Sequence, residues 1–269
     1  MARRLQGRFR PRELGSSSWS LGTAAMENAQ LVGLSRQLTL QRQLDMIANN
    51  VANVDTSGFK AQTMLVKEQK LAPAAANEFQ RADRPISFVL DDGNLYDLQP
   101  GQMVTTNNDL DVAVDGKGWF AVQTNAGERY TRNGSFAIGP DGLLQTRDGH
   151  AVLTDAGPLT VQPNETALSI AADGTISTNQ GVRGKLKLVD FAAAGDLKKI
   201  GETLFEGKNP QAATLPRLVQ GQIEKSNVRA VVEISKLIEV GRTYQNVANW
   251  MSNVDDLRRN AIEKLAQVA

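Results

Sequence analysis

Three carboxylates, Asp109, Asp111 and Asp115, stand close together in a chain of 269 residues and could gather a hard cation such as calcium. Their spacing is not that of an EF-hand, and no glutamate follows at the closing position. Capping of strands and turns is the plainer use for them. Asp115-Gly116-Lys117-Gly118 is glycine-rich like a phosphate loop, but it lacks Gly-Lys-Ser/Thr and leads into Trp119-Phe120, which reads as a strand. His150 is the one histidine and sits beside a turn. With no cysteine in the chain, disulfides, thiolate metal sites and cysteine nucleophiles are excluded. Tyr130-Thr131-Arg132 offers a binding patch or, equally, cross-strand packing. No nucleophile–base pair can be nominated, so the chain is not expected to be an enzyme, and no cofactor or metal is expected.

The unusual polar chemistry lies elsewhere. Asn49, Asn50 and Asn53 crowd the end of an apolar-periodic stretch. Asparagine competes with the helix for backbone hydrogen bonds, so three in a turn and a half cost helix stability. That cost is explained by a specific partner, either the local backbone or another chain; the alternative is an ordinary helix C-terminus. Thr56-Ser57-Gly58-Phe59 then stops the helix, with Gly58 suited to a left-handed cap and Phe59 able to fold back on the last turn.

The element that must position these amides is an amphipathic helix from Met26 toward Lys60. Leu31, Leu34 and Leu38 share one face; Leu40, Leu44, Ile47, Val51 and Val54 resume the stripe after one phase slip. A second long helix is expected from Ser226 to Val268. Leu237, Val240, Tyr244, Val247, Met251 and Val254 form a heptad seam, widened by Trp250, Leu257, Ala261 and Leu265. At roughly 40 residues it would be about 60 Å long. Two such helices suggest each other, or copies of themselves, as partners.

Between them the texture is β. Asp92-Gly93, Asp115-Gly116, Asn133-Gly134, Asp141-Gly142, Asp148-Gly149 and Asp173-Gly174 punctuate short apolar runs as tight-turn signals. Glu128–Arg132 and Ser135–Ile138 read as a hairpin about Asn133-Gly134. Lys185–Val189 alternates with one wet and one buried face. Residues 61–73 read as a short helix or an extended arm, and Ala72–Ala76 and Pro210–Pro216 as linkers. The fold class is therefore α+β, with long terminal helices forming a coiled-coil-like axial domain and an inserted, antiparallel, mostly-β middle domain. The expected domains are an Arg/Ser-rich disordered leader over 1–25, with Met26 expected as the true start, a helical axial domain from 26–72 and 217–269, and a linker plus β domain over 73–216.

With 30 basic and 29 acidic residues the net charge is +1, so no global field favours nucleic acid or membrane. The leader, with Arg3, Arg4, Arg8, Arg10 and Arg12, has no apolar core of a Sec signal peptide. As a nucleic-acid-binding arm it is the remote alternative. No apolar run approaches a transmembrane length of about 20 residues.

Ala48-Asn49-Asn50-Val51-Ala52-Asn53 followed by Thr56-Ser57-Gly58-Phe59-Lys60 closely resembles the N-terminal signature of the bacterial flagellar rod, hook and hook-associated axial proteins. Asp109–Gly116, Gly118-Trp119-Phe120, Tyr130–Phe136 and Gly142-Leu143-Leu144 look like middle-domain motifs of the rod and hook subgroup. Gln220-Gly221, Glu224, Ser226-Asn227-Val228 and Arg242-Thr243-Tyr244-Gln245 look like its C-terminal signature. Met26–Ala29 and Val32–Gln37 look most like the proximal rod branch, with the distal rod or a hook-like subunit as the alternative. Arg229 departs from the usual Asn or Asp after Ser-Asn-Val.

The resemblance implies a structural subunit of the flagellar basal-body rod, the drive shaft that crosses the periplasm and is needed for motility. It implies export through the flagellar type III apparatus without a cleaved signal, and partnership with itself and with other rod and hook subunits, not with nucleic acid or membrane. The assembly interface is expected at Leu44, Ile47, Asn49, Asn50, Val51, Asn53, Gly58, Phe59, Glu224, Ser226, Asn227, Leu237, Val240, Tyr244, Val247, Met251 and Val254. Asn49, Asn50 and Asn53 are expected to set register between subunits, as buried polar residues do in coiled coils.

Overall fold

The computed structural model describes residues 17–70, 87–165, 167–192, 194–213 and 217–268. The expected linker at Ala72–Ala76 and the arginines of the leader lie outside them. The architecture is α+β, with one long helix near each end and a β-rich middle. The N-terminal helix α1 runs Ser17–Ala52 and the C-terminal helix α2 Ala230–Val268. α1 thus begins ahead of Met26 and takes in the second part of the expected leader. The chain divides into two compact units. One comprises Met1–Gln41, Val66–Asp91 and Gly241–Ala269; the other comprises Arg42–Leu65 and Asp92–Val240.

In the first unit α1 and α2 run antiparallel and touch. The Gln37 side-chain amide donates to the Tyr244 hydroxyl at 3.1 Å, and Gln30 donates to Asp255 at 2.5 Å. The phase slip read in α1 marks a change of exposure along one helix. Leu31, Leu34 and Leu38 are exposed, whereas Leu40 and Ile47 are buried and Leu44 is half-buried. Of the two readings of residues 61–73, the extended one holds over the described part: Gln62–Lys70 is a strand, paired with Ser87–Tyr96.

The second unit is built on an antiparallel sheet. Its main path runs Leu197–Lys199, Leu204–Gly207, Gly127–Thr131, Trp119–Thr124, Ala151–Thr154, Leu144–Thr146, Phe136–Ile138. Trp119–Thr124 is buried on both faces: Phe120 and Val122 enter a cluster with Val112, Leu144, Val152 and Ile176, while Trp119 and Ala121 join Tyr130, Leu153 and Phe205. Two short ladders return the chain to its starting side. Arg217–Gln220 pairs with Val112–Asp115, and Gln222–Glu224 pairs with Met103–Thr105.

Several turn signals act as expected. Asp141-Gly142, Asp148-Gly149 and Asp173-Gly174 each place a positive-φ glycine between paired strands. Asn133-Gly134 does not. Gly127–Thr131 pairs with Trp119–Thr124 and Leu204–Gly207, and Phe136–Ile138 pairs with Leu144–Thr146, so the expected hairpin is absent. Gly134 is needed for closeness instead: a Cβ there would lie 1.7 Å from the Val112 carbonyl oxygen, and the Val112 N–H donates to the Gly134 carbonyl. Asp92-Gly93 lies inside the strand Ser87–Tyr96 rather than at a hairpin tip.

The Lys185–Val189 run has the expected burial alternation through Leu188 but is not one strand. Gly181–Lys185 pairs with Thr175–Thr178, and Leu188–Asp190 switches to Trp119–Thr124. Within the expected linker Pro210–Pro216, Gln211–Ala212 pairs with Leu188–Asp190.

Candidate functional site, a buried polar clasp

α1 ends through its own asparagines. The Asn53 N–H and side-chain amide both donate to the Asn49 carbonyl, and the Thr56 hydroxyl donates to Asn53 Oδ1 at 3.0 Å. Asn50 is 1% exposed and bonds at both ends of its amide. Its nitrogen donates to the Gln62 carbonyl at 2.8 Å and to the Glu233 carboxylate at 3.0 Å; its oxygen accepts the Gln62 N–H at 3.0 Å. A side chain here does what a neighbouring strand does, pairing with both polar groups of one backbone residue. Asn49, by contrast, is exposed.

Asn227 holds the residue before Gln62 by one polar group and reaches a second segment with the other end of its amide. Its oxygen accepts the Ala61 N–H at 2.8 Å, and its nitrogen donates to the carbonyls of Asp97 and Gln99. The Phe59 carbonyl accepts the Asn227 N–H. Ser226, also buried, accepts the Val228 N–H ahead of α2. Asn50 and Asn227 thus bind consecutive residues of the segment that leaves α1.

Beneath them lies an ionic triad. Lys60 is fully buried and donates to Glu224 at 2.6 Å and to the Gln99 carbonyl at 2.7 Å. Arg132 donates to the other Glu224 oxygen at 3.3 Å and to the Gly116 carbonyl at 2.8 Å, and lies 5.4 Å from the centroid of Trp119. The Gly101 N–H gives Glu224 a third donor at 2.9 Å. Burial presses Lys60 and Arg132 below their ordinary pKa values, and the Glu224 carboxylate opposes this in both. One carboxylate therefore holds two buried cations from separate stretches of chain.

Gly58 seals the site. Its φ is +70°, and a Cβ on it would lie 2.3 Å from the Asn133 nitrogen. Its N–H donates to the Glu224 carbonyl at 2.7 Å. Phe59, 0% exposed, lies under the Lys199 ammonium, 3.7 Å from the ring centroid. That ammonium is buried without a hydrogen-bond partner, and burial lowers its pKa to about 8.

The expected residues therefore separate into groups. Asn50, Asn53, Gly58, Phe59, Glu224, Ser226 and Asn227 converge on the clasp, inside one chain. Leu237, Tyr244, Val247, Met251 and Val254 are half-buried along α2 and Val240 is buried; Leu44 and Val51 are half-buried on α1, and Ile47 is buried. The sequence reading missed Lys60, Arg132, Glu233 and Lys199 as participants. Lys60 and Arg132 stood inside the quoted motifs, but nothing local marks a lysine as buried. Glu233 had no signal beyond lying in the first turn of α2.

An open cleft of about 460 Å³ abuts Arg132, lined also by Tyr96, Leu98, Pro100 and Lys117. Its one carboxylate, Asp97, accepts the Gln99 N–H. Asp111, from the carboxylate group considered for calcium, is buried and accepts the Ser135 hydroxyl at 3.2 Å.

Comparison with known proteins places the clasp in a family. Residues 31–60 match the family model described as flagella basal body rod protein, 113–178 the flagellar hook protein FlgE/F/G D1 domain, and 219–264 the flagellar basal body rod FlgEFG protein C-terminal region. The flagellar basal-body rod protein FlgF of Caulobacter vibrioides is 40% identical over 247 residues, 90% of this chain and 100% of that one. FlgF of Mesorhizobium japonicum is 31% identical over 89% of this chain and 98% of its own, and FlgF of Escherichia coli is 34% identical over 86% and 95%. The chain belongs to the flagellar basal-body rod proteins and is FlgF-like.

Proposed function

We propose that this chain is a structural subunit of the bacterial flagellar basal-body rod, built in by assembly with copies of itself and with other rod and hook subunits. The observation that carries the reading is the apolar surface left open on both long helices. Leu31, Leu34 and Leu38 on α1 and Trp250, Leu257, Ile262 and Leu265 on α2 are all exposed. Fully burying a side chain of this size stabilises by about 1.5–3 kcal/mol. Covering seven half-exposed ones amounts to something on the order of 5–10 kcal/mol per subunit, against which ordering entropy acts.

In this reading the residues expected at the assembly interface divide. Those in the clasp act indirectly, by fixing the end of α1 and the start of α2. Leu44, Asn49, Leu237, Tyr244, Val247, Met251 and Val254 lie along the surface offered to other helices or to each other, in a coiled-coil-like axial domain. The axial domain spans 26–72 and 217–269, and the β domain lies between. The finer placement is a periplasmic rod reached by type III export, and the proximal rather than the distal rod. Among the described residues no helix is long and apolar enough to cross a membrane.

The test is to purify basal bodies from a strain whose only copy of this chain carries an affinity tag. The expected result is tagged chain in the rod fraction, and loss of motility when the gene is deleted. Normal motility in the deletion strain would overturn the proposal. Light trypsin treatment of the free chain then asks how assembly proceeds. Loss of both ends with a surviving core of about residues 80–215 shows helices that settle only on assembly; resistance throughout shows docking of finished subunits.

A further inference from the structure

Gly33 sits near the middle of α1, where glycine costs a helix about 0.5–1 kcal/mol relative to alanine. It is buried, between exposed Leu31 and Leu34. A Cβ placed on it would meet Trp250 Cζ3 at 3.0 Å and Met251 Cγ and Sδ at 3.2 and 3.3 Å. All three atoms belong to α2. Glycine in a helix does not by itself make such a seat: Gly241, in α2, has no such atom within 4 Å. Polar cross-contacts flank the seat on either side. Gln30 bonds Asp255 and accepts from Arg258 at 3.4 Å, and Gln37 bonds Tyr244.

We infer that Gly33 is a positioning residue for the axial helices, a notch whose missing side chain seats Trp250 and Met251 and so sets the depth and register of α2 on α1. This rests on the rod reading and gives its helix pairing a definite key. The polar contacts at Gln30 and Gln37 are exposed or half-exposed and worth little each, so they follow the register more than they impose it. The indole is rigid and large. Sliding α2 by one turn would carry it off the glycine and onto a residue with a side chain.

The absence of native cysteine makes the test direct. The full chain carrying Gln37→Cys and Tyr244→Cys is treated with a short bismaleimide, and intrachain crosslinking is read by gel mobility and mass. The parent pair is expected to crosslink. Gly33→Leu is expected to cut the yield about tenfold, the lower end of what overpacking does. Helicity by circular dichroism should hold or rise, because leucine is the better helix former. Adding Trp250→Ala to Gly33→Leu is expected to restore the crosslink by reopening the space.

A Gly33→Leu chain that crosslinks like the parent overturns the inference, as does a parent that fails to crosslink or a double variant that stays uncrosslinked. Incorporation of the parent into basal bodies is scored in parallel. A parent that enters the rod while Gly33→Leu crosslinks normally leaves the rod reading standing and removes only the notch.

Discussion

At the clasp, Lys60, Arg132 and Glu224 are each no more than 5% exposed, and one carboxylate answers two cations. Along the helices of the other unit, Leu34 and Trp250 stand close to half in solvent. The first region holds costly chemistry whose ionic triad is paired inside the chain; the second holds cheap chemistry left open to solvent. A buried charge needs its partner in one geometry, so the clasp specifies a single arrangement of the segments it joins. An apolar stripe accepts any surface that excludes water, so it suits a subunit that must meet several kinds of neighbour. Of the signature asparagines, Asn50 and Asn53 belong with the first region, while Asn49 is exposed.

The comparison breaks most decisively at Glu224. Replacing it with alanine strands two buried cations and should lower the unfolding free energy of the free chain by about 3–5 kcal/mol, read by urea titration. A loss under about 1 kcal/mol would mean that water reaches the triad and that the clasp is a surface pair in disguise. Gly58→Val comes next, at about 2–4 kcal/mol, because it combines a disfavoured positive φ with overlap against the Asn133 backbone. Gly58→Ala should recover only part of the loss, since the φ and the 2.3 Å approach remain.

The helix–β–helix order and the turn glycines were legible because they are local: periodicity and Asp-Gly pairs act over a few residues. The positive φ of Gly58 was legible too, but not its place: α1 ends at Ala52, and Gly58 serves the approach to Asn133 and Glu224 rather than the helix cap. What escaped was non-local. Nothing near Lys60 announces that Glu224, Gln99 and Arg132 will surround it. The Asn133-Gly134 hairpin failed because a glycine required by a crossing chain looks the same in sequence as one required by a turn. The division of α1 between an open face and a buried one was visible only as a one-residue phase slip whose meaning needed α2.

Asn50→Leu should cost about 1–3 kcal/mol, because it leaves both polar groups of Gln62 without their partner. Any assembly defect should follow that loss and be relieved when the variant is stabilised elsewhere. Lys199 gives a smaller, pH-shaped effect. Burial lowers its pKa from 10.5 to about 8, so the folded chain binds fewer protons than the unfolded chain between those values. Stability should therefore rise as pH climbs through that window. Lys199→Met should be the more stable protein at pH 7, with the gap closing toward pH 10.5. A gap that is flat with pH in chemical denaturation would show that the ammonium over Phe59 is not penalised.

The smallest effect on stability should accompany a large one on function. Leu257 on α2 is 65% exposed and Val182, on the strand Gly181–Lys185, is 72% exposed. Changing either to glutamine should move the unfolding free energy of the free chain by no more than about 0.5 kcal/mol. Were exposure alone the measure, the two variants would behave alike in cells. If the axial helices carry assembly, Leu257→Gln should reduce incorporation into the rod and swarming on soft agar, while Val182→Gln leaves both intact. Equal motility in the two strains would mean that the open stripe of α2 is ordinary surface. Loss in Val182→Gln alone would move the assembly contact to the β-rich unit and reverse the assignment of the two regions.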